Sequence, residues 1–197
     1  MNKKLITILV IVFLVFFFYL YIKGIYNKMV TMNESINGQW AQVETSYQRR
    51  WDLIENLVKT VKGYATHEKE TLEGVVAERS KASSVNINAE NIDAASLQKF
   101  QQTQENGMNS ALSRLMVVVE KYPDLKANQN FLELQAQLEG TENRISNERH
   151  KFNEAVQTYN AHIKKFPNNL FASMFSFKDR DYFKSDTEAA KAPKVDL

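Results

Sequence analysis

The chain has 197 residues, with 25 basic and 23 acidic side chains and no cysteine. The lack of cysteine excludes disulfides, thiolate metal sites and cysteine nucleophiles. Four lysines and no acid fall in the first 28 positions, so the rest holds 21 basic and 23 acidic residues, without the basic stripe typical of nucleic-acid binding. Six Gly and three Pro leave few turn signals, so the composition predicts long helices.

An uncharged apolar segment, residues 5–22, lies near the N-terminus between lysines. As a helix it is about 27 Å long, which matches the hydrocarbon core of a bilayer and exceeds the core of a signal peptide. No small-x-small cleavage site follows it. A buried core helix is disfavoured because the segment has no polar face. The sequence therefore predicts an uncleaved, single-pass transmembrane helix at 5–22, after a short flank at 1–4.

Residues 23–184 carry hydrophobic side chains at helical spacing. The first set follows an alternating four-three step typical of a coiled-coil seam and consists of Tyr47, Trp51, Ile54, Val58, Val61 and Ala65. Gly63 and Gly74 weaken this helix without ending it. We therefore expect one helix from the anchor to about residue 82, and then a polar break at 83–93.

Two further long helices follow. Asp93 is expected to cap the second, which ends at Tyr122-Pro123, and either Asn128 or Asn130 caps the third, which ends at Pro167. A short helix at 168–174 and a polar tail at 185–197 complete the chain. The predicted fold is all-α: an N-terminal transmembrane helix, then an antiparallel bundle of three long helices with coiled-coil character plus a short C-terminal helix.

The C-terminal segment before the tail is rich in aromatic residues. The second and third helices are each shorter than the first bundle helix, so one flank of the first helix stays partly uncovered by them. We expect this segment to fold back onto the bundle or onto a neighbouring copy, through Leu170, Phe171, Met174, Phe175 and Phe177. Because large exposed apolar patches usually mark contacts, a homo-oligomer or a larger membrane assembly is also expected.

Several runs of residues resemble the LemA family of bacterial membrane proteins. The most specific is RRWDLIENLVKTVKGYATHE at 49–68, preceded by WAQVE at 40–44 and followed by FPNNL at 166–170 and APKVD at 192–196. Two positions depart from the family pattern: Glu55 stands where Pro is frequent, and Ser176 stands where Gly is frequent.

The resemblance implies an N-terminal transmembrane helix in the bacterial cytoplasmic membrane and an antiparallel helical bundle. It implies no established chemistry. Genes of the family often lie near those of membrane metalloproteases or of proteins with a TPM domain. A membrane protein partner such as a membrane metalloprotease is therefore an expectation by analogy.

The residues give little support for catalysis. His67 begins a His-Glu pair, but Thr71 stands where a zinc helix needs its second histidine. His150 and His162 lack a glutamate three residues upstream, as a di-iron bundle requires, and no phosphate loop or nucleophile elbow is present. The sequence predicts neither an enzyme nor a metal or cofactor site.

A polar cluster on the first helix is the main candidate for partner contact: Arg49, Arg50, Asp52, Asn56, Lys62 and His67. One interpretation is that it fixes the register of the bundle by interhelical hydrogen bonds. The other is a surface that binds another chain. Trp51 is expected in the core, whereas Trp40 is a candidate for an interface.

The sequence thus indicates a membrane-anchored helical bundle that acts through protein contacts, as a scaffold, adaptor or assembly subunit. The alternative is a ligand-binding or metal-binding bundle at the membrane. Lysine counts on the two sides of residues 5–22 slightly favour an extracytoplasmic bundle, whereas the resemblance implies the opposite orientation.

Overall fold

The computed structural model describes residues 3–85, 87, 89 and 92–184. Regular structure in these residues is helical, which confirms the all-α class. The described helices are α1 (Lys3–Tyr64), α2 (Lys69–Ser83), α3 (Ala94–Lys121), α4 (Pro123–Lys126), α5 (Gln129–Lys164) and α6 (Asn168–Met174). Three predicted features lie wholly or partly outside the described residues. They are the polar tail at 185–197, the first two residues of the flank at 1–4 and part of the break at 83–93.

The chain divides into two compact units, with boundaries after Gly38, Asn153 and Arg180. We call residues 3–38 with 154–180 the anchor unit, and residues 39–153 with 181–184 the bundle unit.

The 62-residue helix α1 contains the apolar segment at 5–22, so the expected continuity between the anchor and the first bundle helix is confirmed. In the described part of the chain, α1 is the one helix long and apolar enough to cross a bilayer. None of its apolar window is buried, unlike the core helix of a soluble protein.

The prediction that this helix continues to residue 82 is wrong. It ends at Tyr64, and a short turn, in which the Glu68 amide donates to the Ala65 carbonyl, leads into α2. Gly63, Thr66 and His67 are weak helix formers close together, which lowers the cost of a break. Folding back lets α2 bury one side, which holds Leu72, Val75 and Ala82.

Within the described residues, the bundle unit therefore contains α2 as an additional helix beside the three long helices that were expected, which are α1, α3 and α5. The helices α2 and α3 run antiparallel, since Gln104 binds the carbonyl of Ala82 and Lys121 pairs with Glu68. The expected seam of α1 is buried among these helices, apart from the half-buried Val58.

The helices α1 and α5 of the bundle unit are also antiparallel. The ring of Trp40 lies 6.0 Å from that of Phe152, and Asn128 donates to the hydroxyl of Tyr64 over 2.8 Å. The antiparallel arrangement expected from short connections is thus present for both pairs.

The caps follow the sequence closely. Asp93 caps α3 in a reciprocal capping box with Ser96. The side chain of Asn128 accepts the amide of Phe131 at 3.0 Å, so Asn128, rather than Asn130, is the cap at the start of α5. The short C-terminal helix appears as α6, with the predicted bounds.

Candidate functional site

The predicted polar cluster of α1 does not form one site. Arg50 forms an ion pair with Glu142 of α5, whereas Asp52 accepts a 2.8 Å hydrogen bond from Arg79 of α2. The remaining members are exposed: Arg49, Asn56, Lys62 and His67. Because Arg50 and Asp52 each join a different helix to α1, these contacts support the register interpretation.

Trp40 lies in the core, contrary to its interpretation as an interface residue. Its side chain is 1% exposed, and its ring packs against those of Phe100, Phe152 and Phe183 at centroid distances of 5.1, 6.0 and 6.0 Å. The sequence could not reveal this contact, because Phe183 reaches the core from a segment without helical periodicity.

An open groove of about 540 Å³ lies in the bundle unit among α1, α3 and α5. Its apolar lining comes from all three helices and consists of Leu57, Leu112, Leu115, Met116, Phe131 and Leu138. Its polar lining consists of Arg50, Gln135, Glu139, Glu142 and Asn143. An apolar floor with charged margins is suited to the apolar face of an amphipathic helix.

The groove combines core and surface positions of the helical repeat. Leu115 is 2% exposed and belongs to the core, whereas Met116, the next residue of α3, is 40% exposed. Helical spacing of apolar residues in the sequence indicates Leu112, Leu115, Phe131 and Leu138 as residues that face other helices, but it does not single out Met116 or Leu57. Periodicity predicts which side chains face other helices, and it does not predict where the packing leaves a gap.

A second, smaller pocket of about 270 Å³ lies in the bundle unit, next to Tyr47. The Tyr47 hydroxyl is buried and has no hydrogen-bond partner within the described residues. Burial raises its pKa to about 12. Burial likewise raises the pKa of Glu44.

Trp51 forms one wall of this pocket and confirms its predicted place in the core. Its indole N–H donates to Gln104 Oε1 over 2.7 Å, and Gln104 Nε2 donates in turn to the carbonyl of Ala82 over 3.1 Å. This relay joins α1, α3 and α2 through buried polar groups.

The aromatic segment of the anchor unit is only partly covered. Phe175 and Phe177 lie against Tyr26 of α1, with ring centroids 5.0 and 5.7 Å apart. Phe171 is half-buried. Leu170 and Met174 are 59% and 61% exposed, so the expectation that they are buried against this chain is wrong.

Within the described residues, no group of three or more His, Asp or Glu side chains is arranged to hold a metal ion. The apolar groove and the Tyr47 pocket are candidate binding sites in the bundle unit.

These features define a helical-bundle protein with one N-terminal apolar helix of membrane-spanning length. A family model described as the LemA family matches residues 39–197, and the chain belongs to that family. The family resemblance found in the sequence is thereby confirmed.

Several curated relatives are similar over most of the chain. Magnetosome proteins MamQ 1 and MamQ 2 of Paramagnetospirillum magneticum are each 30% identical over 175 residues, covering 80% of this chain and 64% of theirs. Protein LemA of Metamycoplasma hominis is 24% identical over 195 residues, covering 99% of this chain and 83% of its own. The chain thus spans slightly less than two thirds of the length of the MamQ relatives.

Proposed function

We propose that this protein is a membrane-anchored scaffold whose bundle unit binds an amphipathic helix of a membrane protein partner. The observation that carries the proposal is the open groove among α1, α3 and α5. Apolar side chains line its floor, and Met116 is 40% exposed at its margin. Residues 5–22 hold the bundle at a membrane.

The margin of the groove indicates the chemistry of the partner. Glu139 is exposed, and Glu142 is 58% exposed beside its partner Arg50. A helix that places apolar residues in the groove and a basic residue beside Glu139 fits both features. The family resemblance makes a membrane metalloprotease one candidate for such a partner.

A contact-based role also agrees with the names of the relatives, since none is the name of an enzyme. We further propose that the bundle lies on the extracytoplasmic side of the bacterial cytoplasmic membrane, from the lysines that flank residues 5–22. A reporter fused after Leu197 tests the orientation: activity from a reporter that works only in the cytoplasm would reverse it.

The groove is tested by inserting a charge into it. Met116→Asp should reduce recovery of a crosslinked partner from intact membranes at least tenfold, because a carboxylate in an apolar contact costs more than 1.4 kcal/mol. Val117→Asp is the matched control, since Val117 is 55% exposed on the same helix and lies outside the groove lining.

Both variants change an exposed residue, so both should fold. Equal recovery from Met116→Asp and Val117→Asp, at equal melting temperature, would exclude the groove as the partner site.

A second candidate function is binding of a small polar ligand in the pocket beside Tyr47. The buried Tyr47 hydroxyl, without a partner in the described residues, is the specific observation that favours it. Native mass spectrometry of the protein in mild detergent should then detect a bound small molecule that Tyr47→Phe releases. The same mass for both proteins, apart from the substitution, would exclude this ligand.

A further inference from the structure

An exposed apolar surface lies at the C-terminal end of α5 in the anchor unit. It consists of Phe166, which is 81% exposed, Leu170 (59%), Met174 (61%) and Phe175 (38%). We call these four residues the α6 surface. Leu170 and Met174 are four residues apart in α6, which is the spacing of neighbours on one side of a helix, and Phe166 lies in the turn between α5 and α6. So much contiguous apolar exposure usually marks a contact.

The position of this surface along α1 is fixed by Tyr26. Tyr26 lies four residues beyond Ile22, the last residue of the apolar segment, and therefore about 6 Å further along the helix axis. The headgroup region on each side of a bilayer is about 5–7 Å thick. Because the ring of Phe175 contacts that of Tyr26 at 5.0 Å, Phe175 lies at the level of the headgroups when residues 5–22 span the bilayer.

Basic side chains surround the same level. Lys28 and Lys165 both lower the pKa of His162, in addition to the larger effect of its burial, so both ammonium groups lie near this end of α5. Lys164 pairs with Asp179 at 2.5 Å. Lysines beside exposed aromatic and aliphatic residues are typical of segments that lie in the headgroup region of anionic membranes.

We propose that the α6 surface is a second membrane contact, which inserts into the headgroup region and prefers anionic lipid. The inference rests on the proposed anchoring through residues 5–22, because that segment sets the level of Tyr26. The bilayer, rather than a second copy, is the occupant that this level favours, since the surface continues the apolar exposure of the anchor. Two membrane contacts fix the tilt of α1 and α5 relative to the bilayer, in addition to attaching the chain to the membrane.

The absence of cysteine makes the test direct, because single cysteines can be introduced into the full chain. Nitroxide labels at Leu170→Cys and Met174→Cys, with one protein per phosphatidylglycerol-containing nanodisc, report contact with lipid through oxygen and contact with water through a nickel chelate. Val12→Cys reports the anchor, and Val117→Cys is an exposed control in the bundle unit. We expect the ratio of oxygen to nickel-chelate accessibility for labels 170 and 174 to exceed that of label 117 and to lie below that of label 12.

The outcomes separate this inference from the proposed function. Labels 170 and 174 that resemble label 117, while label 12 is in lipid, would overturn the second contact alone. Labels at all four positions in water would overturn the membrane anchor as well. Labels 170 and 174 that are in water at one protein per disc, and that become shielded from both reagents with several proteins per disc, would assign the surface to a second copy and overturn the lipid contact.

The preference for anionic lipid has its own test. Lys165→Gln should lower the ratio of lipid-contacting to water-contacting label at position 170 about fivefold in phosphatidylglycerol-containing discs, and should leave it unchanged in phosphatidylcholine discs. Glu34→Gln is the matched control, because Glu34 is another exposed charged residue of the anchor unit. An unchanged ratio in both lipids would overturn the anionic preference.

Discussion

The side-chain amide of Asn160 pairs with both polar groups of the Arg180 backbone. Its Nδ2 donates to the Arg180 carbonyl at 2.8 Å, and its Oδ1 accepts the Arg180 amide at 2.9 Å. The side-chain amide thus provides hydrogen-bond partners for buried backbone groups in a segment that has no regular secondary structure. Arg180 also donates to Asn37 of α1 at 2.7 Å, so α1, α5 and the C-terminal segment of the anchor unit are joined at this point.

Asn160→Ala should therefore lower the free energy of unfolding by about 1–3 kcal/mol, because it removes two buried hydrogen bonds to the Arg180 backbone. Trypsin should also cleave after Lys178 more rapidly. Thermal unfolding in detergent and timed proteolysis measure the two effects. Asn147→Ala, an exposed position of the same helix, is the control and should stay within about 0.5 kcal/mol of the parent.

A substitution at the C-terminal end of α6 is expected to raise the free energy of unfolding. Phe177 N donates to the carbonyl of Ala172 at 2.9 Å, and Ser176 N donates to that of Ser173 at 3.3 Å, the two bonds of a Schellman motif. Ser176 occupies the left-handed position of this motif, with φ 61°. Ser176→Gly should raise the free energy of unfolding of the anchor unit by about 1 kcal/mol, measured by chemical denaturation.

The same motif explains one of the two departures from the family pattern. Glycine tolerates the left-handed conformation that serine adopts here at a cost. A loss of stability in Ser176→Gly would show that the serine hydroxyl, rather than the backbone, determines this turn.

Tyr47 gives a prediction in alkaline solution. Its pKa is raised from 10.0 to about 12 in the folded protein, so the unfolded chain loses its phenolic proton first as pH rises. The stability contributed by the neutral phenol is complete below pH 10 and is lost between pH 10 and 12, by about 2–3 kcal/mol. Tyr47→Phe should lack this loss. Urea unfolding of both proteins across this pH range measures the difference, and parallel curves would contradict it.

The contacts of Asp52 predict a small effect on stability. Asp52 is 51% exposed, and its partner Arg79 also pairs with Glu55. Asp52→Ala should cost about 0–1 kcal/mol, whereas Arg79→Ala removes both pairs and should cost more. Recovery of a partner should follow the amount of folded protein in both variants. Lost recovery with unchanged melting would instead assign Asp52 to a docking surface.

Local chemistry made much of the fold predictable. Asp93, Asn128 and the bounds of α6 follow from capping residues and from proline, which act over a few positions. The end of α1 at Tyr64 does not follow, because it depends on the burial that α2 gains beside α3. That gain arises between residues distant in sequence, and no local pattern encodes it.

The candidate site was less predictable than the fold. The sequence placed Arg50 and Asp52 in one polar cluster, but their side chains pair with residues on two different helices, α5 and α2. The groove depends on how completely three helices fill the space between them, and the adjacent residues Leu115 and Met116, both apolar, are 2% and 40% exposed. The periodicity of the sequence predicts which face of a helix a residue lies on. Whether that residue lines the groove depends on how the three helices pack.

Photo-crosslinking from position 116 tests the central claim most directly. A benzophenone side chain at Met116 in the full chain, activated in native membranes, should yield one specific adduct with a membrane protein partner. The same probe at Val117 should yield none. Equal adducts from both positions, or none from Met116 while the chain remains in the membrane, would contradict the account.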